Sequence, residues 1–131
     1  MKYSKQRQLI LDIINKSELH PTAEMIYEEA RIIIPNISLG TIYRNLESLE
    51  KNDLIKHIIM SNNSDRYDKN VKDHYHFYCE ECHKIYDIFS ASLININELL
   101  SNETGHKINS NTLVFSGICK YCQRKGKQLW N

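Results

Sequence analysis

An α+β fold in two parts is predicted by three observations on this 131-residue chain. Its first half carries three short stretches of helical apolar spacing followed by a tight hairpin signal. Its second half alternates apolar and polar residues in short strand-length runs around one further helical stretch. Two CxxC pairs fall in that second half, at 79–82 and 119–122.

The elements follow in order. Gln6 to Asn15 reads as a helix, with Leu9, Ile10, Ile13 and Ile14 on one face. His20-Pro21-Thr22 breaks the chain and restarts it, with Thr22 as N-cap and Glu24 in the first turn. Ala23, Ile26, Tyr27, Ala30 and Ile33 form the second apolar stripe, which Pro35 ends. Ser38 caps a third helix whose buried face is Leu39, Ile42, Leu46 and Leu49, ending near Asn52. Its other face carries Gly40, Arg44, Glu47, Ser48 and Lys51, with Tyr43 at the flank. LIKHIIM reads as a strand, SNNSD as a turn and RYD as the returning strand. Three helices and a hairpin make the pattern of a winged helix-turn-helix over residues 1–69, whose third helix enters a DNA major groove. The same pattern also describes a three-helix core that never meets DNA.

The join falls near Asn70–Lys72. Beyond it, over 73–131, HYHFYC, IYDIF and TLVFSGIC read as strands and Leu93 to Glu103 as a helix, a small α/β unit. There is no internal repeat and no low-complexity tract.

Composition bounds the function. At 41% hydrophobic and 25% charged residues the chain is of ordinary globular type. No apolar run approaches a membrane span, and MKYSKQRQ does not read as an export signal, so the cytoplasm is the default and no membrane partner is expected. Net charge is +1, and residues 1–60 hold eight basic and eight acidic side chains, so charge alone does not point to nucleic acid. Lys2, Lys5 and Arg7 precede any acid; they suit phosphate, but a solvated helix end is the simpler reading of charge alone.

The cysteines say more. Two thiolates three positions apart grip one side of a tetrahedral Zn(II), and a second such pair 36 residues on closes the site. Cys79, Cys82, Cys119 and Cys122 are therefore expected to hold a structural zinc that leaves no open position for chemistry. Disulfides and a redox CxxC are the other readings of the same spacing. The stretch DHYHFYCEEC sets histidines beside these cysteines. On a strand, His74, His76 and Tyr78 point one way and Tyr75, Phe77 and Cys79 the other, so the stretch most simply serves two metals, one per face. Asp68, Asp87 and His20 are nearby candidates to join the histidines, each of them as easily a turn acid or a capped residue when taken alone.

HPTAEMIY, SLGTIYRNLESL, RYD, DHYHFYCEEC–HKIYDI and GICKYC occur in this order, and together they resemble the ferric uptake regulator (Fur) family, in particular its peroxide-sensing, PerR-like members. The resemblance covers nearly the whole chain, and the composite of these motifs is highly specific. It implies a homodimer with an N-terminal winged helix and a C-terminal dimerisation domain, binding double-stranded DNA at a palindromic operator. It implies structural zinc on Cys79, Cys82, Cys119 and Cys122. It also implies a regulatory site between the domains, matched here by His20, Asp68, His74, His76 and Asp87. Imidazole and carboxylate donors suit Fe(II) or Mn(II). Iron-sensing members typically carry Glu where this chain has Asp68 and Asp87, which points toward peroxide sensing. A metal held by both halves would set the spacing of two recognition helices against half-sites about one DNA turn apart.

By the same resemblance, His20 and His74 are the residues expected to gain oxygen. Tyr43 and Arg44 are placed near bases, with Thr41 and Ser48 reaching phosphate or base edges and Lys5 and Arg7 on the backbone. Ser4-Lys5-Gln6-Arg7 stands where the family usually has T-P-Q-R, and the helix that usually precedes it is not seen, so DNA binding is expected to be weaker or different in mode. Two other readings stand beside this one. The first is an iron- or manganese-responsive repressor using the same ligands without irreversible oxidation. The second is a zinc hydrolase built on His74, His76 and an Asp, for which no general base is evident beyond the carboxylates proposed as ligands. The chain is thus read as a regulator and not an enzyme.

Overall fold

The computed structural model describes residues 4–60, 64–71, 74–90, 95–111 and 113–124. The chain divides into two compact units, Met1–Lys72 and Asp73–Asn131.

In the first unit α1 spans Lys5–Lys16, α2 Ala23–Ile33 and α3 Leu39–Lys51. Each helix starts on a hydroxyl cap: Ser4, Thr22 and Ser38 accept the backbone N–H of Arg7, Met25 and Thr41 at 3.3, 3.1 and 3.1 Å. Such a cap satisfies one of the orphan donors of a first turn, worth about 1 kcal/mol. The three apolar stripes meet in one core, in which Ile10, Ile14, Ile26, Ile42, Leu46 and Leu49 are almost completely buried.

Two residues depart from the expected stripes. Leu39 is 36% exposed, because it is the first residue of α3 and precedes the buried face. Ile33, in the last turn of α2, is 67% exposed. Ile37, from the connection, is buried instead. The buried face of α3 is Ile42, Asn45, Leu46 and Leu49, an i, i+3, i+4, i+7 set with one polar member. Asn45 is tolerated there because its Nδ2 donates to the carbonyl of Thr41 at 2.8 Å.

The wing consists of β1, Lys56–Ile58, and β2, Arg66–Asp68, antiparallel with Lys56 opposite Asp68, His57 opposite Tyr67 and Ile58 opposite Arg66. The strand read over LIKHIIM is thus only three residues long here. Of the SNNSD turn, 61–63 lie outside the described residues. His57, given no role by its sequence context, ties the wing to α3. Its Nδ1 meets Glu50 Oε2 at 3.2 Å, its Nε2 meets Asp65 Oδ2 at 2.7 Å, and its ring stacks on Tyr67.

In the second unit β3, Tyr75–Cys79, is the central strand. On one side it pairs antiparallel with β4, Ile85–Ile88; on the other it pairs parallel with β5, Val114–Gly117. Helix α4 spans Ile96–Thr104, and Gly105 ends it at φ 82°, a left-handed position that suits glycine. The helix expected from Leu93 is described only from Ile96, residues 93 and 94 lying outside the described set. The buried apolar side chains among the described residues of this unit are Cys79, Ile85 and Cys119. A core that small calls for a staple.

Candidate metal centres

The parallel β3–β5 pairing assembles the cysteines. Gly117 lies opposite Cys79, and the Glu80 N–H donates to the Gly117 carbonyl at 2.8 Å, so the chain leaving β5 delivers Cys119 to the first CxxC. Cys79 Sγ lies 3.8 Å from Cys122 Sγ, and Cys82 Sγ lies 3.9 Å from Cys119 Sγ. The four sulfurs all fall within 4.8 Å of one another. A tetrahedral zinc with bonds of about 2.3 Å needs sulfurs about 3.8 Å apart, so the set fits the ion. The separations are well beyond a disulfide bond of about 2.05 Å, and all four cysteines are free.

Local backbone prepares the thiolates. Cys79 Sγ accepts the N–H groups of Cys82 and Cys119, both at 3.4 Å, and Cys119 Sγ accepts that of Cys122 at 3.5 Å. Burial opposes ionisation of Cys79, but these N–H donors overcome it and hold the thiol down at about 6. The N–H of Cys122 likewise lowers Cys119. Burial and the neighbouring thiols push Cys122 up to about 12, so a cation must displace its proton. The Tyr86 hydroxyl donates to Cys119 Sγ at 3.6 Å, and this bond is the first cause of that phenol's raised pKa. Sequence reasoning missed Tyr86. The signal available was its parity, since the residue before Asp87 on β4 must point away from the side that carries Asp87.

The imidazoles and carboxylates gather in two sets. In the first unit, an isolated bridge between Thr22 and Arg66, with the Tyr67 N–H donating to the Pro21 carbonyl at 2.9 Å, fastens the His-Pro-Thr break to β2. His20 Nε2 thereby lies 3.5 Å from Asp68 Oδ2, both residues largely buried. His20 has φ 51°, a left-handed backbone that costs a non-glycine residue about 1 kcal/mol or more. Arg66 Nη1 donates to the His20 carbonyl at 3.3 Å and helps hold it.

In the second unit, His76 stands opposite Asp87 across β3 and β4. His76 Nε2 is 3.5 Å from Asp87 Oδ1, and His74 Nε2 is 3.1 Å from the same oxygen. The two imidazole rings are 4.5 Å apart between centroids. His74, His76 and Asp87 thus form one convergent donor set, and His20 with Asp68 another. Phe77 pairs with Tyr86 on the reverse face of the same two strands, the face that Cys79 shares.

The DNA candidates on α3 are exposed or half-buried along one side of the helix. The Thr41 hydroxyl is engaged twice, by Ser38 Oγ at 2.9 Å and by Arg44 Nη2 at 2.9 Å, so it orients the arginine. The Tyr43 hydroxyl donates to Glu24 Oε1 on α2 at 3.0 Å, and that bond raises its pKa. Ser48 is half-buried and Lys5 exposed, while Arg7 is partly covered at the start of α1.

A winged helix, a four-thiolate cluster and imidazole–carboxylate donors in each unit define a class of two-unit winged-helix proteins built around metal-competent donors. The chain belongs to the ferric uptake regulator family, whose model matches residues 1–116. That match stops short of Cys119 and Cys122, which join the cluster by geometry. The chain is 34% identical over 125 residues to the peroxide operon regulator of Bacillus subtilis strain 168, covering 95% of this chain and 86% of the relative. It is 36% identical over 125 residues to the peroxide-responsive repressor PerR of Staphylococcus aureus strain USA300, covering 95% and 84%. The crystal structure of the Campylobacter jejuni peroxide stress regulator superposes with a TM-score of 0.73 at 31% identity, covering 89% of this chain and 88% of the other.

Proposed function

We infer that this chain is a metal-dependent DNA-binding repressor that senses hydrogen peroxide through Fe(II)-catalysed oxidation of its own histidines. The observation that carries this reading is the donor chemistry. Asp68 lies beside the imidazole of His20, and Asp87 beside those of His74 and His76. Such a hard, mixed N/O set suits Fe(II) or Mn(II). The names of the relatives at 34% and 36% identity support the same choice.

The five residues His20, Asp68, His74, His76 and Asp87 would hold the regulatory ion. Fe(II), when held there, would supply the redox chemistry that activates peroxide, and it would be unchanged overall. His20 or His74 would take the oxygen: one peroxide oxygen would insert into a ring C–H bond of that imidazole, and the other would leave as water. An oxidised ring would be a poorer donor, so the ion and then the DNA would be released. Asp68 beside His20, and Asp87 beside His74 and His76, bring carboxylate and imidazole donors within reach of one ion in each unit. Cys79, Cys82, Cys119 and Cys122 hold a structural zinc that takes no part in sensing. The protein acts as a homodimer, presenting two copies of α3 to a palindromic operator in the cytoplasm. Arg44 and Tyr43 face bases, Thr41 and Ser48 the groove edge, and Lys5 and Arg7 the phosphates. Metal and DNA strengthen each other's binding reciprocally.

The test is peptide mass spectrometry after stoichiometric hydrogen peroxide, on protein loaded with Fe(II) or with Mn(II). One added oxygen on the His20 or His74 peptide, with iron alone, is the expected result. Unmodified histidines in both forms would overturn the oxidation step and leave a reversible iron- or manganese-responsive repressor.

A further inference from the structure

We propose that Tyr86 tunes the four-cysteine centre: its hydroxyl, by donating to Cys119 Sγ, lowers the nucleophilicity of the zinc-bound thiolates and protects them from peroxide. The inference rests on the zinc reading of that centre. Three observations carry it.

The first is the contact itself, 3.6 Å from hydroxyl oxygen to sulfur. A thiolate bound to zinc has no proton of its own, so the phenol must be the donor. A hydrogen bond to a ligating atom withdraws charge from it, and such outer contacts change the properties of metal sites by about 10- to 100-fold.

The second is access. A cavity of about 410 Å³ is lined by Cys82, Lys84, Tyr86, Cys119, Tyr121 and Cys122. Three of the four cysteines therefore border a space that a small oxidant can enter. A closed coordination shell alone does not shield them.

The third is the support behind the hydroxyl. Tyr86 stands opposite Phe77 in the β3–β4 register, on the side of the sheet that bears Cys79. Its ring lies 6.5 Å from that of Phe77 and 6.2 Å from that of Tyr121. These two ring contacts favour the orientation in which the hydroxyl reaches Cys119.

The reaction held back is the oxidation of two thiolates to one disulfide. Peroxide accepts their two electrons and leaves as two hydroxide ions, and zinc is released. A chain that is meant to record peroxide on its histidines gains selectivity if its structural centre reacts slowly.

The experiment uses the full chain as wild type, Tyr86→Phe and Tyr86→Leu, each first assayed for zinc by elemental analysis. Zinc release under excess hydrogen peroxide is followed with a chromogenic chelator, and Co(II)-substituted protein reports the thiolate-to-metal charge-transfer band. Tyr86→Phe, which keeps the ring, is expected to release zinc about tenfold faster and to shift the band to lower energy. A zinc-loaded Tyr86→Phe with wild-type release and an unmoved band overturns the proposal. So does faster release in Tyr86→Leu alone, which would assign the effect to ring packing. Wild type purified without zinc would instead overturn the zinc reading on which the proposal stands.

Discussion

His76 and Asp87 face each other across β3 and β4, with Nε2 3.5 Å from Oδ1, while their chain neighbours Phe77 and Tyr86 pair on the reverse face. One strand pair thus builds the imidazole–carboxylate set on one side and backs the thiolate set on the other. Because Asp87 Oδ1 also meets His74, Asp87 is the shared element of its set. Asp87→Asn is expected to abolish Mn(II)-dependent tightening of operator binding, a coupling of about 5- to 150-fold. Zinc content should stay at the wild-type level. Fluorescence anisotropy with labelled DNA, with and without Mn(II), measures the first, and elemental analysis the second. Retained metal dependence would remove Asp87 from the regulatory site.

Zinc removal should act on one unit. The second unit has three buried apolar side chains among its described residues, two of them cysteines, whereas the first has its own isoleucine and leucine core. Chelation is expected to expose the amides of β3 and β5 to hydrogen exchange and to leave those of α1, α2 and α3 protected. Simultaneous loss of protection in both units would contradict this.

Arg44 is held by Thr41 and lies close to Gly40, where an added Cβ would stand 3.3 Å from Arg44 Nη1. Gly40→Ala should gain at most about 1 kcal/mol of helix stability. It should nonetheless weaken operator binding, because the guanidinium must move. Arg44→Ala should weaken specific binding by about 1–3 kcal/mol with relaxed sequence preference. Paired thermal melts and competition binding separate the two effects. Unchanged affinity in both variants would take Arg44 out of the interface.

Leu46 is 1% exposed at the centre of the three-helix core. Leu46→Ala should cost about 2–5 kcal/mol, by lost burial and by the cavity left behind. Urea unfolding followed through the helical signal tests it, and a loss below about 1 kcal/mol would show that the site collapses freely.

Burial first, and then the charge of Asp65, push the Tyr67 phenol from the ordinary 10 up to about 12. The unfolded chain gives up this proton before the folded one does. Its contribution to stability is therefore intact below pH 10 and is lost as pH rises toward about 12. Urea midpoints should fall more gently with alkaline pH in Tyr67→Phe than in wild type. Parallel curves would refute the assignment.

Most of the first unit was legible in the sequence, because capping hydroxyls and apolar spacing are local signals. Thr22 and Ser38 cap where their side chains suggest. Leu39 and Ile33 were misleading because a stripe's end residues share its spacing without sharing its burial. Asn45 was illegible for the opposite reason: a polar residue enters a buried face only when a carbonyl, here that of Thr41, is there to receive it. In the second unit, strand parity separated the histidines from Cys79. The spacing of the two CxxC motifs pointed to a four-thiolate cluster, and the sulfurs converge. What no local pattern announced was the parallel partner of β3, since that depends on a return of the chain over the intervening helix. The approach of His20 to Asp68 was expected from the family resemblance and from no local pattern, as it rests on Thr22 meeting Arg66.

That parallel return has a kinetic consequence. The helices of the first unit can close on near neighbours, but β5 cannot dock on β3 until the crossover through α4 has been made. Nonlocal pairing of this kind is slow. During synthesis the winged helix is therefore expected to be finished while the cysteine cluster is still open. Zinc is then expected to meet the chain while β5 is still seeking β3, so that metal binding and the docking of the last strand are one event.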